Sequence, residues 1–438
     1  MSRRPVLKTA LPGPVAAALI ARSDRVISPS YTREHPLVAE RGEGVWIHDP
    51  DGNEFLDMSA GIAVTSTGHC HPRVVAAVCE QAGKLLHMSG TDFYYPVQGR
   101  LADRLVRMQP VRGERCRVYF GNSGAEANEA AMKLARWATG RKHFVAFLDA
   151  FHGRTYGAMS LTASKARQRE GFGPFLPVTH TIYPDPYRMG PNATDQALDH
   201  LENLFRTICP PGDVAAIFVE PVQGEGGYIV PPADFLPRLR ALADSHGILL
   251  VFDEVQSGMG RTGRMFAHEH FGVRPDLITL AKGIASGLPL SATLASEDIM
   301  RWKPGAHAST FGGNPVACAA ANVTLDLLEE SLVENAAVVG ARMQEMLRSA
   351  VGGHPNVGEI RGLGLMVGVE LVLDRATRKR ASELRNAVVM DCFHRSGMIL
   401  LGAGQNAVRF CPALTLSEQE AATAVELFAT SLNALAPV

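Results

Sequence analysis

Short apolar runs punctuate the middle of the chain at His143–Leu148, Val214–Val219, Ile248–Phe252 and Leu277–Ala281. Each has the length and side-chain character of a strand buried on both faces. Between the second and third the period changes: Ala233–His246 sets Phe235, Leu239 and Leu242 on one side, as a helix crossing between parallel strands does. Upstream, Arg117–Phe120 is another short strand, leading through a glycine-rich turn into an alanine-rich helix that ends near Gly140. This alternation predicts an α/β protein with a mostly parallel, doubly wound sheet.

The flanks read differently. Val45–Asp57 alternates around Asp49-Pro50-Asp51-Gly52, a hairpin signal. The small, glycine-rich SAGIAVTSTGHCHP that follows reads as a loop, and Pro72–Leu86 as a helix with Val75, Val78 and Ala82 on one side. A second helix is expected around Gly99–Met108. The proline-rich segment from Gly171 to Pro211 reads as a surface excursion with one helix near Asp195–Ile208. After a long helix from Val316 to about Glu330, helices at Asn335–Ala350, Ala381–Ser396 and from Ser417 mix with short strands at Val357–Val372, Gly397–Leu401 and Val408–Cys411. That mixture predicts a smaller α+β unit, completed by the N-terminal hairpin.

Composition narrows the function classes. Among 438 residues, 43 Lys and Arg stand against 44 Asp and Glu, so no global charge favours nucleic acid or an anionic membrane. No stretch approaches the roughly 20 apolar residues of a membrane span. The apolar run Val15–Ile20 is too short for a signal peptide and is blocked upstream by Pro12, Gly13 and Pro14, so it is expected to be a surface arm with a short helix. Seven scattered cysteines without a CxxC pair point to a reducing cytoplasm. His69-Cys70-His71 has adjacent ligands but no partner motif, and is read as a turn rather than a metal site.

Three of the strands end on one ionisable residue each: Glu220, Asp253 and Lys282. In a parallel sheet the carboxyl ends of the strands open onto the ligand crevice, so the three belong to one site. A lysine raised on an apolar strand readily loses its proton and forms an imine with an aldehyde. A carboxylate held against a pyridine nitrogen keeps that nitrogen protonated and makes the ring an electron sink. At an effective dielectric of about 20 and roughly 3 Å the pair gains on the order of 5 kcal/mol before desolvation. Together the two residues describe a pyridoxal phosphate site, which needs an anion cradle. Gly121-Asn122-Ser123-Gly124-Ala125, at the start of the alanine-rich helix, offers free N–H groups and the Ser123 hydroxyl. Alone it reads at least as well as a plain helix cap. Phe151, past the His143–Leu148 strand, can stack on a flat ring, and Arg154 can take a carboxylate; packing roles explain both equally well on these residues alone.

GNSGAEANEAAMKLAR, VEPVQGEGG, VFDEVQSGMGRTG and STFGGNP, in this order, resemble the class III pyridoxal-phosphate aminotransferases, the group of ornithine, acetylornithine and 4-aminobutyrate aminotransferases, from about Val26 to Leu427. The resemblance implies fold type I. Residues 81–327 would form the large cofactor-binding domain, with 1–80 supplying the N-terminal arm and part of the small domain and 328–438 the rest of it. It also implies a homodimer with shared active sites. Lys282 would be the lysine bound to the cofactor and Asp253 the partner of its pyridine nitrogen. Ser123, Gly124 and Ala125 would hold the phosphate, with Thr310 of a second subunit. Phe151 and Val255 would cover the ring faces, Gln256 would lie near the phenolic oxygen, and His152 and Glu220 would lie beside the cofactor. Glu220 and Arg409 resemble the family's switch pair, in which the carboxylate masks the arginine for ω-amino substrates and frees it for a 2-oxo acid. Arg154 falls where members bind the substrate carboxylate.

Within the family, Ile62 stands where ornithine-type enzymes usually carry tyrosine and 4-aminobutyrate types isoleucine. ISPSYTREHPLV and TDFYYPVQ also resemble the archaeal-type 4-aminobutyrate subgroup, which includes broad-specificity racemases; Thr65-Ser66-Thr67 departs from the Leu-Asn-Thr common there. The expected activity is transamination of an ω-amino or diamino acid with 2-oxoglutarate as acceptor. The alternative is an amino-acid racemase, for which Glu225 would be the second acid.

Overall fold

The computed structural model describes residues 3–435. Near the N-terminus β1 (Arg41–Glu43), β2 (Trp46–His48) and β3 (Glu54–Asp57) form an antiparallel meander. Its turn is held by Asp49, whose Oδ1 accepts from the backbone N–H of Asp51 at 3.0 Å and of Asn53 at 2.8 Å.

A seven-stranded sheet forms the centre. Its strands are β4 (Cys116–Gly121), β5 (His143–Phe147), β6 (Val178–Thr181), β7 (Val214–Val219), β8 (Leu249–Asp253), β9 (Leu277–Leu280) and β10 (Ser291–Ser296), in the order β4-β10-β9-β8-β7-β5-β6. Only β10 runs against its neighbours, so the architecture is α/β with a mostly parallel sheet. One face packs under helix Phe235–Ser245 through Phe235 and Leu239, which meet Phe147, Leu250 and Phe252. The other packs under helix Gly124–Thr139 through Ala131, Leu134 and Ala135, against Phe144, Phe218 and Val251. With both faces covered, each buried Leu or Phe contributes about 1.5–3 kcal/mol.

Two strands of this sheet escaped the hydrophobic pattern. β10, SATLAS, is buried throughout, but its small polar side chains lack an apolar signature. They fit because the strand lies close under a helix, with Thr293 Oγ1 donating to the Ala127 carbonyl at 2.9 Å. β6 lies inside the segment expected to be a surface excursion, and pairs with β5 at the sheet edge.

At the C-terminal end β11 (Val357–Leu363), β12 (Met366–Asp374), β13 (Lys379–Arg380), β14 (Met398–Ile399), β15 (Leu401–Ala403) and β16 (Ala407–Phe410) follow. A small antiparallel sheet has the order β11-β12-β16-β15, with β13 beside β12. β14 pairs in parallel with β3, which joins the two ends of the chain. Pro315–Leu327 passes through a π turn at Leu328–Leu332 into Val333–Val351, where two separate helices were expected. No Gly or Pro lies between Val316 and Val339, and a one-residue bulge absorbs the change of hydrophobic phase. In helix Pro72–Lys84, Val74 is buried and Val78 packs on the core, whereas Val75 is 43 % exposed, contrary to the expected face. Among the described residues no helix is long and apolar enough to cross a membrane.

Candidate active site

Beyond the carboxyl ends of β7, β8 and β9 lies a cavity of about 470 Å³. The sheet brings Glu220, Asp253 and Lys282 to its wall, and helix Gly124–Thr139 brings Ser123, Gly124 and Ala125. No earlier residue in the helix can accept from the N–H groups of Gly124 and Ala125, so the helix end is suited to an anion. Phe151, Val255 and Gln256 also line the cavity, with His152 beside Asp253.

Asp253 is 4 % exposed and held from three directions. Its Oδ2 accepts from Asn128 Nδ2 at 2.8 Å and meets His152 Nδ1 at 2.7 Å, while Oδ1 accepts from the Val255 N–H at 3.0 Å. Asn128 is fixed in turn by Thr279 Oγ1, which donates to Asn128 Oδ1 at 3.0 Å. Burial works against a charged His152, yet the hydrogen bond and charge of Asp253, with Glu220, raise its pKa. Asp253 is therefore oriented by three fixed partners, one of them a buried imidazole. Asn128 and Thr279 were not foreseen. The available signal was a lone asparagine on an otherwise alanine-rich buried helix face.

Lys282 occupies the left-handed region (φ 46°) where β9 gives way to a short 3₁₀ turn, a costly conformation for a residue with a Cβ. Burial lowers its pKa, against the opposing pull of Asp253 and Glu225, and so favours the neutral amine. Its side chain also lines an adjoining chamber of about 560 Å³, and Val64, Phe151 and Arg154 are common to both spaces. This outer chamber contains Ile62, Lys165, Glu225 and Arg409. Ile62 faces it at φ 69°, in a single turn, Ala60–Ala63, where a loop was expected. Arg154 is exposed, with its guanidinium carbon 5.9 Å from the Phe151 ring centroid.

The expected Glu220–Arg409 pair is not formed. Arg409 Nη1 donates to Glu225 Oε1 at 2.6 Å. Glu220 sits at the tip of β7 and accepts from the N–H groups of Phe151 at 3.3 Å and Gly224 at 3.1 Å, facing the first cavity. The strand ends at Val219, and the turn after it carries Glu225 into the chamber that holds Arg409. Burial pushes Glu220 up to about 7; His152 and the two N–H donors oppose that rise and Asp253 adds to it. Glu225 goes the other way: burial would raise its pKa, but the charges of Arg409 and Lys165 lower it.

Thr310 is exposed and lines neither space. Gln256 Oε1 accepts from the Tyr228 hydroxyl at 2.8 Å, which fixes it at the cavity wall. The His69 ring pairs with Asp57 at 2.8 Å, and His71 caps the following helix. Among the described residues no cluster of His, Cys, Asp or Glu suits a metal ion.

An amine and an oriented carboxylate at strand tips, lining one cavity with a helix N-terminus, fit pyridoxal phosphate chemically at each end. The fold and these residues define a pyridoxal-phosphate enzyme. Comparison with known proteins gives the family: residues 27–432 match aminotransferase class III, and the chain belongs to that family of pyridoxal-phosphate-dependent enzymes. The alanine/serine racemase of Pyrococcus horikoshii is 38 % identical, the match covering 96 % of this chain and 91 % of that one. The 5-aminovalerate aminotransferase of Pseudomonas aeruginosa is also 38 % identical, over 96 % and 99 %. The ornithine aminotransferase structure from Toxoplasma gondii, with partial occupancy of the cofactor, superposes with a TM-score of 0.84 at 34 % identity over 96 % and 94 % of the two chains.

Proposed function

We propose that this class III aminotransferase transfers the amino group of an ω-amino or diamino acid to 2-oxoglutarate. The observation that carries the reading is the Arg409–Glu225 ion pair at 2.6 Å in the outer chamber. An enzyme with one kind of carboxylate substrate has no need to neutralise its own arginine. Here the pair keeps Arg409 covered while a substrate presents an amino end. Rotation of Glu225 then uncovers a guanidinium for the α-carboxylate of a 2-oxo acid.

The cofactor, when bound, supplies an electron sink conjugated to the amine-bearing carbon of the substrate. Ser123, Gly124 and Ala125 would hold its phosphate and Asp253 its ring nitrogen, with Phe151 and Val255 covering the faces. His152 and Asn128 keep Asp253 oriented. Lys282, favoured as a neutral amine by burial, would take the proton from the amine-bearing carbon of the substrate and carry it across the nitrogen to the carbon on the other side. Arg154, at the junction of the two chambers, binds the distal carboxylate.

We also infer a homodimer divided as the family resemblance implies, with 81–327 as the large domain. Thr310 would serve the partner's phosphate site, and Phe311 and Tyr94, 61 % and 104 % exposed, would be covered at the interface. Seven free cysteines accord with a reducing, cytoplasmic setting. A donor screen that reads glutamate formed from 2-oxoglutarate tests the activity. Turnover of 4-aminobutyrate, 5-aminovalerate or ornithine is expected, and activity confined to α-amino donors would overturn the ω-amino reading.

Racemisation is the second reading, favoured by a racemase relative of equal identity. It requires a proton donor on the face opposite Lys282. Formation of the D form from a single L-amino acid, without any oxo acid, would establish it.

A further inference from the structure

The turn that carries Glu225 is gripped by two arginines of the small sheet. In register, Arg361 of β11 lies opposite Gly368 of β12, and Gly368 lies opposite Arg409 of β16. Arg409 takes the Glu225 carboxylate. Arg361 takes the backbone just beyond it: Nη2 donates to the Gly227 carbonyl at 2.7 Å, and Nε to the carbonyls of Gly227 at 3.1 Å and Tyr228 at 3.2 Å. Between the two, Gly368 leaves room for the turn. A Cβ there would stand 3.1 Å from both the Gly227 oxygen and the Tyr228 Cβ.

This turn needs an external support. It contains Gly224, Gly226 and Gly227, the last at φ +128°, and Tyr228 itself lies at φ 56°. Flexible and left-handed residues of this kind lose more entropy on ordering than they return in local contacts. Arg361 is itself firmly placed. Nη1 donates to Glu359 Oε2 at 2.6 Å and Glu370 Oε2 at 2.5 Å, and Glu370 also accepts from Arg188. Arg361 and Glu370 are 9 % and 2 % exposed, so the cluster is a buried, mutually neutralised network. From Tyr228 the chain of contacts continues through its hydroxyl to Gln256 on the cofactor-side wall.

The geometry points to Arg361 as a positioning residue for the gate: it pins the carbonyls of residues 227 and 228, so that only the Glu225 side chain moves when Arg409 is freed. The inference rests on the Glu225–Arg409 reading above. With the pin removed, the turn relaxes, Glu225 meets Arg409 less often, and the uncovered arginine draws amino acids with an α-carboxylate, glutamate among them, into the donor half-reaction.

Two variants test it in the holoenzyme. Arg361→Lys keeps a charge facing Glu359 and Glu370 but loses the planar fork that spans two carbonyls. Gly368→Ala keeps every charge and crowds the turn. The readouts are kcat and KM for 4-aminobutyrate and for glutamate as donors, with visible cofactor absorption and Tm as controls. Both variants should lower the 4-aminobutyrate-to-glutamate ratio of kcat/KM by about tenfold, the size of coupling found between contacting residues, mainly through KM. Adding Arg361→Lys to Glu225→Gln should lower the ratio no further. If both variants bind cofactor yet hold the ratio within about twofold, or if the two effects simply add, Arg361 does not act through the gate. Glu225→Gln alone separates the two levels. If it leaves the ratio unmoved, the gate reading falls; if it moves the ratio while both sheet variants are silent, only the pin falls. Should Arg361→Lys fail to fold, Gly368→Ala decides.

Discussion

The two ends of the active site are built on opposite principles. At the cofactor end, Asp253, the last residue of buried strand β8, is held by Asn128 of the helix packed on the sheet and by His152 and the Val255 N–H from the loops at the strand tips. At the gate end, Glu225 sits on a glycine-rich turn and is held mainly by one ion pair to Arg409. A carboxylate with several fixed donors has one position. A carboxylate with one close charged partner and no fixed donors has two, provided the partner can be offered something better. Electron storage needs a fixed charge and double substrate specificity needs a movable one, so the same side-chain chemistry serves both through different supports.

The largest expected effect lies at the fixed end. Lys282→Ala should reduce transamination by about 10⁴-fold, the upper range for general acid–base catalysis, in an assay of 2-oxo acid consumption. Loss of less than a hundredfold would mean that another base serves. Asp253→Asn should lower the rate on the order of 10²–10³-fold, as removal of one oriented electrostatic group does. It should also lower Tm in calorimetry, because the buried His152 and Asn128 lose a carboxylate oxygen they share as a hydrogen-bond partner. At the movable end, Arg409→Ala should raise KM for 2-oxoglutarate by roughly a hundredfold, about the loss of a charge-assisted bidentate contact, and leave the amine donor's KM within about threefold. Equal effects on both substrates would erase the contrast between the two ends.

A pH experiment probes the boundary between them. The folded pKa of Glu220 is raised by burial from 4.5 to about 7, so the folded chain binds this proton more tightly than the unfolded chain. The stability it contributes is intact below about pH 4.5 and is lost as pH rises through 7. Glu220→Gln, which keeps an acceptor oxygen for only one of the Phe151 and Gly224 N–H groups, should remove that pH-dependent loss, so that its stability relative to the parent rises by on the order of 3 kcal/mol between about pH 4.5 and 7. Calorimetry from pH 5 to 8 would show it as a diverging Tm. The smallest effect belongs to Lys165, partly exposed and 3.8 Å from Glu225. Lys165→Gln should change either KM by less than about threefold, as expected of a solvent-screened pair.

Much of the cofactor end was legible before any coordinates. Strands β7, β8 and β9 are apolar runs terminated by one ionisable residue, and a buried parallel strand leaves few other ways to write itself. β10 was not legible, because its small side chains answer to the helix above it rather than to a period. The gate was misread for a related reason. Glu220 and Glu225 lie five residues apart in one motif, and nothing in their spacing says which reaches Arg409, almost two hundred residues away. Only the end of β7 at Val219 and the reversal of the glycine turn decide that Glu220 faces the cofactor cavity and Glu225 the outer chamber.

What the chain determined by itself is the set of short-range choices: period, turn chemistry, and the identity of the groups at the strand tips. The pairing of Arg409 with Glu225, the support of Asp253 by Asn128 and the alignment of Arg361, Gly368 and Arg409 were decided by tertiary structure. Each joins residues far apart in sequence, and a linear pattern carries no distance between them.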